Sequence, residues 1–496
     1  MFFRNLIEAG EGKVALAICE AVIGAEGLFI GASIKMASFF ELQLEALGSL
    51  VSALGSDGEH GFRLAPGVSF ESRSSGSGLG IYAKEALVNG TVLVQVPFRR
   101  CLSVEAVAAS PGLRRVFLEQ AQLLNFPDEV LAIGLMYARL LIESSSSSAE
   151  SFSLESCPWL LHAKTLPQSF NSTLFWEDDE LLQLKGCTVF HLTQLMKRQI
   201  DADFQNVHAQ LAEAYPELLG GITKDLYAWA LSVIYSRAVG ITRGGAYARI
   251  IPPVIDMANH DPHAAEEAAD TFDFDEATDC LKFLAASDRA AGEECSAVYG
   301  RYPNSKLAYT YGFVIPTGNP HRCIDMWARI PASSYAADKK RLLLSSNSLT
   351  ADQSYSFTGT LRPGWVSPAL LATIRVIQIN SQEELDVSAR AFKGMIVSTR
   401  NEAATYASLL GLLQARVEAD VAEAERAELG ELLLSGAGDE AGGGRRLMAL
   451  VIRCEERELV SECIGLVRRW VQELEAHNSA YVPPDADDAD ASFAEV

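Results

Sequence analysis

Hydrophobic residues near the start of the folded chain follow the two-residue repeat of β-strands. Within residues 68–100, Val92, Val94 and Val96 occupy every second position, and Pro97 ends the run. Alternation of this kind, closed by a proline, is typical of a short strand. We therefore predict short strands over 68–100.

A helical spacing replaces the strand pattern from about residue 103 to residue 235. Apolar residues recur at three- and four-residue intervals in the stretches 128–143 and 223–237. This spacing places them on one face of a helix, so both stretches are predicted to be helical.

Strand character returns between residues 248 and 300. The apolar stretches 249–255 and 281–285 are predicted strands, and the acidic stretch 261–279 between them is expected to be a loop. A turn at 291–294 is expected to lead into a last strand that carries Tyr299.

Beyond about residue 335 the chain is again predicted to be helical. Leu409, Leu413 and Val417 mark one apolar helix face, and a second face is marked by Val460, Ile464, Val467, Val471 and Leu474. From residue 479 the chain is rich in aspartate, and this tail is expected to be disordered.

Residues 1–60 are interpreted as a helical extension. Residues 14–34 are largely apolar, but Glu20 and Glu26 would be costly inside a bilayer. The acidic residues also disfavour a plastid transit peptide, and the apolar stretch lacks the form of a secretory signal. An amphipathic helix, or an extension docked on the body, is expected instead.

Charge and cysteine content narrow the function classes. The 496-residue chain has a formal net charge of −23, which disfavours binding to a nucleic-acid backbone. The charge suits attraction of a basic target, although it could equally serve solubility alone. The nine cysteines form no C-x-x-C pair, which indicates a reducing intracellular compartment and no metal site.

Five short motifs occur in a fixed order along the chain. They are Ser77-Gly78-Leu79, Ser236-Arg237, Asp256-Met257-Ala258-Asn259-His260, Val298-Tyr299-Gly300 and Tyr311-Gly312-Phe313, with Asn304 between the last two. Each motif alone is weak, but their joint order and spacing are specific.

Together these motifs resemble a SET-domain protein methyltransferase, in the branch of the Rubisco large-subunit lysine methyltransferases. The resemblance covers roughly residues 60–475 and is clearest at 70–100 and 225–320. It implies an α+β fold in which short β-sheets with a pseudoknot form a SET domain over 61–330. A helical insertion at about 103–235 splits that domain. An all-α substrate-binding domain at 335–478 and the acidic tail 479–496 follow.

The resemblance also implies a role for each motif. Tyr299 is the expected catalytic residue. The methyl donor, S-adenosylmethionine, is expected to bind at Tyr299 and at Ser77, Gly78, Leu79, Arg237, Asp256, Asn259 and His260. Asp256 could contact the donor or serve only to fix its loop. The acceptor channel is expected to involve Val239, Tyr311 and Phe313, and Val239 departs from the aromatic residue that lysine-methylating relatives often have there.

These residues predict methyl transfer to a lysine side chain of another protein. A histidine acceptor and a catalytically inactive protein-binding module are the alternatives. The protein is expected to be a monomer, to bind neither nucleic acid nor membrane, and to reside in the cytoplasm or nucleus, with the plastid as a further option.

Overall fold

The structure is a computed structural model that describes residues 43–55, 61–71, 79–144, 158–263, 271–347, 349, 356–417, 423–435, 441–477 and 481–485. Ser77 and Gly78 lie outside these ranges, as do residues 1–42 of the expected extension, whereas residues 43–54 are helical. The chain divides into two compact units, which are residues 1–168 with 207–297 and residues 169–206 with 298–496.

The described strands and helices follow one another in mixed order. The strands are β1 (Arg63–Leu64), β2 (Val68–Glu71), β3 (Gly80–Ala83), β4 (Val92–Pro97), β5 (Val239–Arg243), β6 (Ala246–Ile250), β7 (Phe272–Asp275), β8 (Cys280–Leu284), β9 (Ile324–Arg329), β10 (Ser356–Arg362) and β11 (Trp365–Val366). The α-helices after residue 54 are α1 (Val104–Ala109), α2 (Arg114–Glu119), α3 (Pro127–Ser144), α4 (Pro158–Ala163), α5 (Asp178–Leu182), α6 (Thr188–Asp203), α7 (Ala209–Ala214), α8 (Pro216–Leu219), α9 (Lys224–Arg237), α10 (Asn304–Thr310), α11 (Ala337–Ser346), α12 (Pro368–Ile377), α13 (Gln382–Asp386), α14 (Thr399–Val417), α15 (Glu423–Ser435) and α16 (Ala441–His477).

A four-stranded antiparallel sheet with the order β1-β4-β8-β7 forms the centre of the first unit. Val94 of β4 lies opposite Phe283 of β8, and both side chains are fully buried. Leu93, which points to the other face of the sheet, is also fully buried. Both faces of β4 are therefore covered, which explains why the strand is apolar almost throughout.

Two hairpins also belong to the first unit. β2 pairs with β3, and β5 pairs with β6. Gly244 and Gly245 join β5 to β6, and both adopt positive φ. A two-residue turn with two positive φ angles matches the right-handed twist of antiparallel strands, and glycine adopts it without strain.

Helices α3 and α9 pack against each other in the first unit. Every residue of α3 from Val130 to Ala138 is buried, so this part of the helix is enclosed on all sides. α9 begins after Thr223, whose side chain accepts a hydrogen bond from the Leu226 N–H, and it ends at Arg237. The two helices predicted at 128–143 and 223–237 are thus confirmed.

Three details of the predicted strand region are wrong. The strand predicted at 249–255 ends at Ile250 as part of β6, and Ile255–Met257 form a single helical turn. Strand β7 lies inside the stretch expected to be a loop, because Phe272 and Phe274 alternate with aspartates and pair with β8. Residues 298–300 form no regular strand, so Tyr299 follows an extended segment rather than lying on a strand.

The second unit is mainly helical and also contains a three-stranded sheet with the order β11-β10-β9. The strands β10 and β11 interrupt the region predicted as all-helical. Its core combines both predicted helix faces, with the members Leu370, Tyr406, Leu409, Leu413, Val460, Cys463 and Val467 fully or almost fully buried. Residues 169–206, which were assigned to the helical insertion, also belong to this unit: Trp176, Leu184 and Val189 share a cluster with Ala449 and Ile452.

A buried guanidinium ties the end of the described chain to the helical core of the second unit. Arg375 on α12 is fully buried and makes paired hydrogen bonds to the carboxylates of Glu402 and Asp485. The Tyr481 hydroxyl lies 2.9 Å from the Tyr406 hydroxyl. Residues 481–485 therefore differ from the disordered tail expected from residue 479, because Asp485 supplies the second carboxylate for the buried cation.

None of the helices in the described ranges combines the length and apolar character needed to span a bilayer.

We predict that Asp485→Ala lowers the free energy of unfolding by about 3–5 kcal/mol, the usual cost of removing one partner of a buried ion pair. Urea unfolding measures the change. The matched control is Asp338→Ala, because Asp338 pairs with Arg341 while its own side chain is 98% exposed. This control should cost no more than about 1 kcal/mol. Equal effects of the two substitutions would contradict the buried pairing.

Candidate active site

The loop that carries Asp256 begins with a strained turn. After β6 the chain passes Pro252 and Pro253 to Val254, which has φ 72° and ψ −47°. A β-branched residue rarely adopts positive φ, and such strain is most often found at functional sites. The turn leads directly into the single helical turn Ile255–Met257 and directs Asp256 into the interior.

Asp256 is a buried carboxylate held between two basic side chains. Its side chain is 1% exposed, with Arg237 Nη1 at 3.1 Å and His162 Nε2 at 3.2 Å from Oδ2. Arg237 Nη1 also donates to the Asp256 carbonyl oxygen at 2.8 Å. Burial alone would raise the pKa of Asp256, but His162 and Arg237 together hold this pKa below its ordinary value.

Arg237 retains capacity to bind a further acceptor. Among the described residues, its buried Nε and the Asp256 Oδ1 have no hydrogen-bond partner. A guanidinium has five N–H donors in a fixed fork that suits a carboxylate. Asp256 thus fixes both the loop and the end of α9, and leaves donors of Arg237 available for a ligand.

An extended segment, residues 292–297, connects the Asn259-His260 loop to β3. On one side the Cys295 N–H donates to the Ile81 carbonyl at 2.7 Å. On the other side the Ala297 N–H donates to the Asn259 carbonyl at 2.7 Å, and His260 forms a parallel bridge with Ala297. The loop is therefore held by backbone hydrogen bonds that do not depend on side-chain identity.

Asn259, Glu294 and Gly80 meet at this junction. Asn259 Nδ2 donates to Glu294 Oε1 at 2.7 Å. A Cβ at position 80 would clash with Glu294 Oε1 and lie 2.9 Å from Asn259 Nδ2, so glycine leaves the space that the pair needs. Leu79, just before Gly80, is buried.

Val239 occupies a different part of the first unit. It is the first residue of β5, is half-buried, and pairs with Ile250 of β6. In the described contacts it is a hairpin residue, and its expected place at the acceptor channel stays a prediction.

The expected catalytic tyrosine lies in an aromatic cluster of the second unit. The Tyr299 and Tyr311 rings stack with centroids 4.9 Å apart, and the Tyr302 ring stacks on Tyr311 at 6.1 Å. Phe313 lies against Tyr311 at 6.2 Å. All four side chains are half-buried. Such a cluster provides a rigid apolar wall with hydroxyl groups at its edge.

Asn304 holds the turn that presents this cluster. Its side chain donates to the Ile315 carbonyl at 3.0 Å and accepts from the Ile315 N–H at 2.7 Å, which closes the segment containing Tyr311 and Phe313. It also donates to Glu455 Oε2 on α16 at 2.8 Å. Burial raises the pKa of Glu455 to about 7, although the Asn304 contact opposes this rise. These contacts give Asn304 a structural role in the turn after Tyr299.

Within the described ranges, no three His, Cys, Asp or Glu side chains are grouped closely enough to hold a metal ion.

Parts of the sequence and the fold are similar to those of known proteins. The Rubisco LSMT substrate-binding family model matches residues 331–460, which overlaps the predicted substrate-binding region. The structure of the SET domain of LSMT bound to lysine and AdoHcy superposes with a TM-score of 0.70, at 19% identity, over 88% of this chain and 93% of that chain. The structure of Rubisco LSMT bound to AdoMet superposes with a TM-score of 0.69, at 21% identity, over 87% and 93% of the two chains.

The chain has the SET fold of the Rubisco LSMT-like class. The predicted resemblance and the α+β architecture are thereby confirmed.

Known relatives of the chain include enzymes with different acceptors. A chloroplastic [fructose-bisphosphate aldolase]-lysine N-methyltransferase of Arabidopsis thaliana is 28% identical over 49% of this chain and 47% of its own length. A chloroplastic Rubisco large-subunit N-methyltransferase of Pisum sativum is 27% identical over 62% and 59%. An actin-histidine N-methyltransferase of Gallus gallus is 23% identical over 62% and 49%. The chain thus spans about half the length of the relatives it matches.

Three residues that contact the predicted site residues were not predicted from the sequence. His162 contacts Asp256, Glu294 contacts Asn259, and Tyr302 stacks on Tyr311. Nothing in the local sequence of His162 indicates a partner at position 256. Tyr302 could have been suspected from its position three residues after Tyr299.

We predict that Gly312→Ala lowers the free energy of unfolding by about 2–3 kcal/mol, since the new Cβ adds steric conflict to an unfavourable φ. Gly312 lies between two residues of the aromatic cluster and has φ 82°. An added Cβ would lie 2.7 Å from the Ser172 backbone N and 2.9 Å from the Asn171 backbone C.

Urea unfolding checks this prediction against Gly411→Ala. Gly411 lies in α14 of the same unit, and a Cβ there would meet no atom within 4 Å. The control should be neutral or slightly stabilising, because alanine is the better helix former. A Gly312→Ala protein as stable as the control would show that the close backbone approach is not required.

Proposed function

We propose that this protein transfers a methyl group from S-adenosylmethionine to the ε-amine of a lysine on another protein. The observation that carries the proposal is the anchored Asn259-His260 loop, bridged to Ala297 two residues before Tyr299 within the LSMT-like SET fold. The lysine N-methyltransferase relatives and the substrate-binding family match support the same activity.

The residues present fit the proposed methyl donor. Arg237 has a buried Nε that is without a partner in the described structure, which suits the carboxylate of the donor's amino-acid end. Asn259 and His260 stand on a fixed loop and are proposed to hold the rest of that end and the adenine edge. Leu79, and Ser77 and Gly78 before it, are proposed to contribute backbone contacts. Asp256 is proposed to act through Arg237 rather than by direct contact.

Bound S-adenosylmethionine would supply a methyl group on a positively charged sulfur. Transfer forms a nitrogen–carbon bond as the carbon–sulfur bond breaks, which leaves a thioether, and the amine must give its proton to solvent. Most of the acceleration that this protein can provide comes from alignment of the amine with that carbon. Tyr299 is proposed to orient the amine through its hydroxyl.

The acceptor must be uncharged to react. A free lysine amine has a pKa near 10.4, so at pH 7 about one molecule in a few thousand is neutral. Burial against apolar surface disfavours the ammonium form and lowers this pKa. The aromatic cluster of Tyr299, Tyr302, Tyr311 and Phe313 offers such a surface, and Tyr311 and Phe313, with Val239, are proposed to line the acceptor channel.

A histidine acceptor is the second candidate, since the match to an actin-histidine N-methyltransferase covers 62% of this chain. Val239 is apolar and offers no hydrogen bond to an imidazole, which favours lysine. A catalytically inactive binding module is disfavoured because Asn259, His260 and Tyr299 are all present.

The proposed partner is a protein segment with basic character. The net charge of −23 would attract such a segment over long range and would repel a phosphate backbone. The protein is proposed to act as a monomer in a reducing compartment. That compartment is the cytoplasm or nucleus, with the plastid as the alternative.

We predict that Tyr299→Phe lowers methyl transfer on the order of 10²-fold, the size of effect found when one preorganised hydrogen-bonding group is lost. Donor affinity should be retained, because only a hydroxyl is removed. Incubation with radiolabelled donor and a lysate of the source organism measures transfer, and mass spectrometry of the labelled product distinguishes lysine from histidine.

Tyr309→Phe is the matched control for this experiment. It also removes one tyrosine hydroxyl from the second unit, but that hydroxyl contacts Lys306 at 3.0 Å and has no proposed role. Undiminished transfer by Tyr299→Phe would eliminate Tyr299 as the central residue. A parent protein that neither binds the donor nor labels any protein would eliminate the enzymatic proposal itself.

A further inference from the structure

We propose that Glu294 is a positioning residue of the donor site, which fixes the Asn259 side-chain amide so that its oxygen faces the ammonium group of the methyl donor. The inference rests on the proposed function and adds a residue that none of the sequence motifs includes.

The hydrogen bond between the two side chains determines the orientation of the amide. Asn259 Nδ2 lies 2.7 Å from Glu294 Oε1. An ionised carboxylate can only accept hydrogen bonds, so the NH₂ group of Asn259 must face it. The Oδ1 atom then points away from Glu294. Without such a partner, an asparagine amide can present either its oxygen or its nitrogen to a ligand with little difference in shape.

Glu294 is itself held in place by backbone contacts. It forms an isolated antiparallel bridge with Tyr82 of β3. The neighbouring Glu293 carbonyl accepts from the Ala83 N–H at 2.9 Å, and the Cys295 N–H donates to Ile81. Because β3 pins the backbone on both sides of Glu294, the carboxylate approaches Asn259 from a fixed direction.

Gly80 provides the space for this arrangement. Any Cβ at position 80 would overlap Glu294 Oε1 and crowd Asn259 Nδ2. The contact therefore depends on three stretches of chain that come together here: the start of β3, the loop at Asn259 and the segment at Glu294.

The chemical consequence is an acceptor face that selects for cations. The Asn259 oxygen and the nearby negative charge of Glu294 attract N–H donors and repel carboxylates. The donor's amino-acid end carries both an ammonium and a carboxylate. The Asn259–Glu294 pair would take the ammonium, whereas Arg237 would take the carboxylate.

Two ligands separate this role from a general effect on the pocket. S-adenosylhomocysteine contains the ammonium group, and 5′-methylthioadenosine lacks the amino-acid end altogether. Isothermal titration calorimetry with the full chain gives the affinity for each. We expect Glu294→Ala to weaken S-adenosylhomocysteine binding about tenfold, which equals about 1.4 kcal/mol, and to leave 5′-methylthioadenosine binding unchanged.

A double-mutant cycle tests whether Glu294 acts through Asn259. In an Asn259→Ala background, Glu294→Ala should cause no further loss of S-adenosylhomocysteine affinity. Glu294→Gln should retain affinity within about threefold of the parent, because its amide oxygen can still accept from Asn259 Nδ2. Glu293→Ala is the control: it removes the same charge one residue away, where the carboxylate accepts from the Ala290 N–H at an exposed turn.

Several results would overturn the proposal. These are an unchanged affinity in Glu294→Ala, an equal loss for both ligands, additive losses in the double mutant, or the same loss in Glu294→Gln as in Glu294→Ala. Thermal unfolding of each variant identifies any that fail to fold. If Glu294→Ala does not fold, Glu294→Met, which keeps the side-chain length but removes the acceptor, takes its place with the same expected loss. A parent protein that binds neither ligand would instead refute the proposed function.

Discussion

Backbone hydrogen bonding on both sides of residues 292–297 is the constraint on which the rest of the candidate site depends. β3 binds one edge of this segment, and the Asn259–Asp261 stretch binds the other. Buried backbone groups require such partners, so neither neighbour can move without leaving polar groups unpaired. The loop thus stays fixed even though it belongs to no regular sheet.

The buried carboxylate of Asp256 also holds its loop in place in the first unit. Asp256 is almost fully enclosed, and a lone carboxylate there would be strongly unfavourable. Arg237 compensates this charge and His162 lies 3.2 Å from it, which commits the end of α9 and the helix α4 to the same loop. The positive φ of Val254 agrees with a loop that is held in place, because the surrounding contacts keep the backbone in a conformation that valine rarely adopts.

In the second unit, helices hold the segment that carries the aromatic cluster around Tyr311. Asn304 closes the turn that contains Tyr311 and is bonded in turn to Glu455 of the long helix α16. Arg375 and its two carboxylates then hold the end of the described chain against α12 and α14. The contacts of Asn304 thus hold the segment that contains Tyr311, and the ion pairs of Arg375 hold the end of the described chain.

The sequence by itself determined the helices, their apolar faces and the order of the motifs. A helical period is repeated within a few residues, so Leu409 and Leu413 could be assigned to a core face without knowledge of their partners. Only the tertiary structure decided which distant side chains are in contact. Glu294 contacts Asn259, and His162 contacts Asp256. Asp485, in the acidic tail, forms an ion pair with Arg375. These contacts join residues far apart in the chain, and no local pattern of hydrophobic and polar positions records which distant side chains will be buried together.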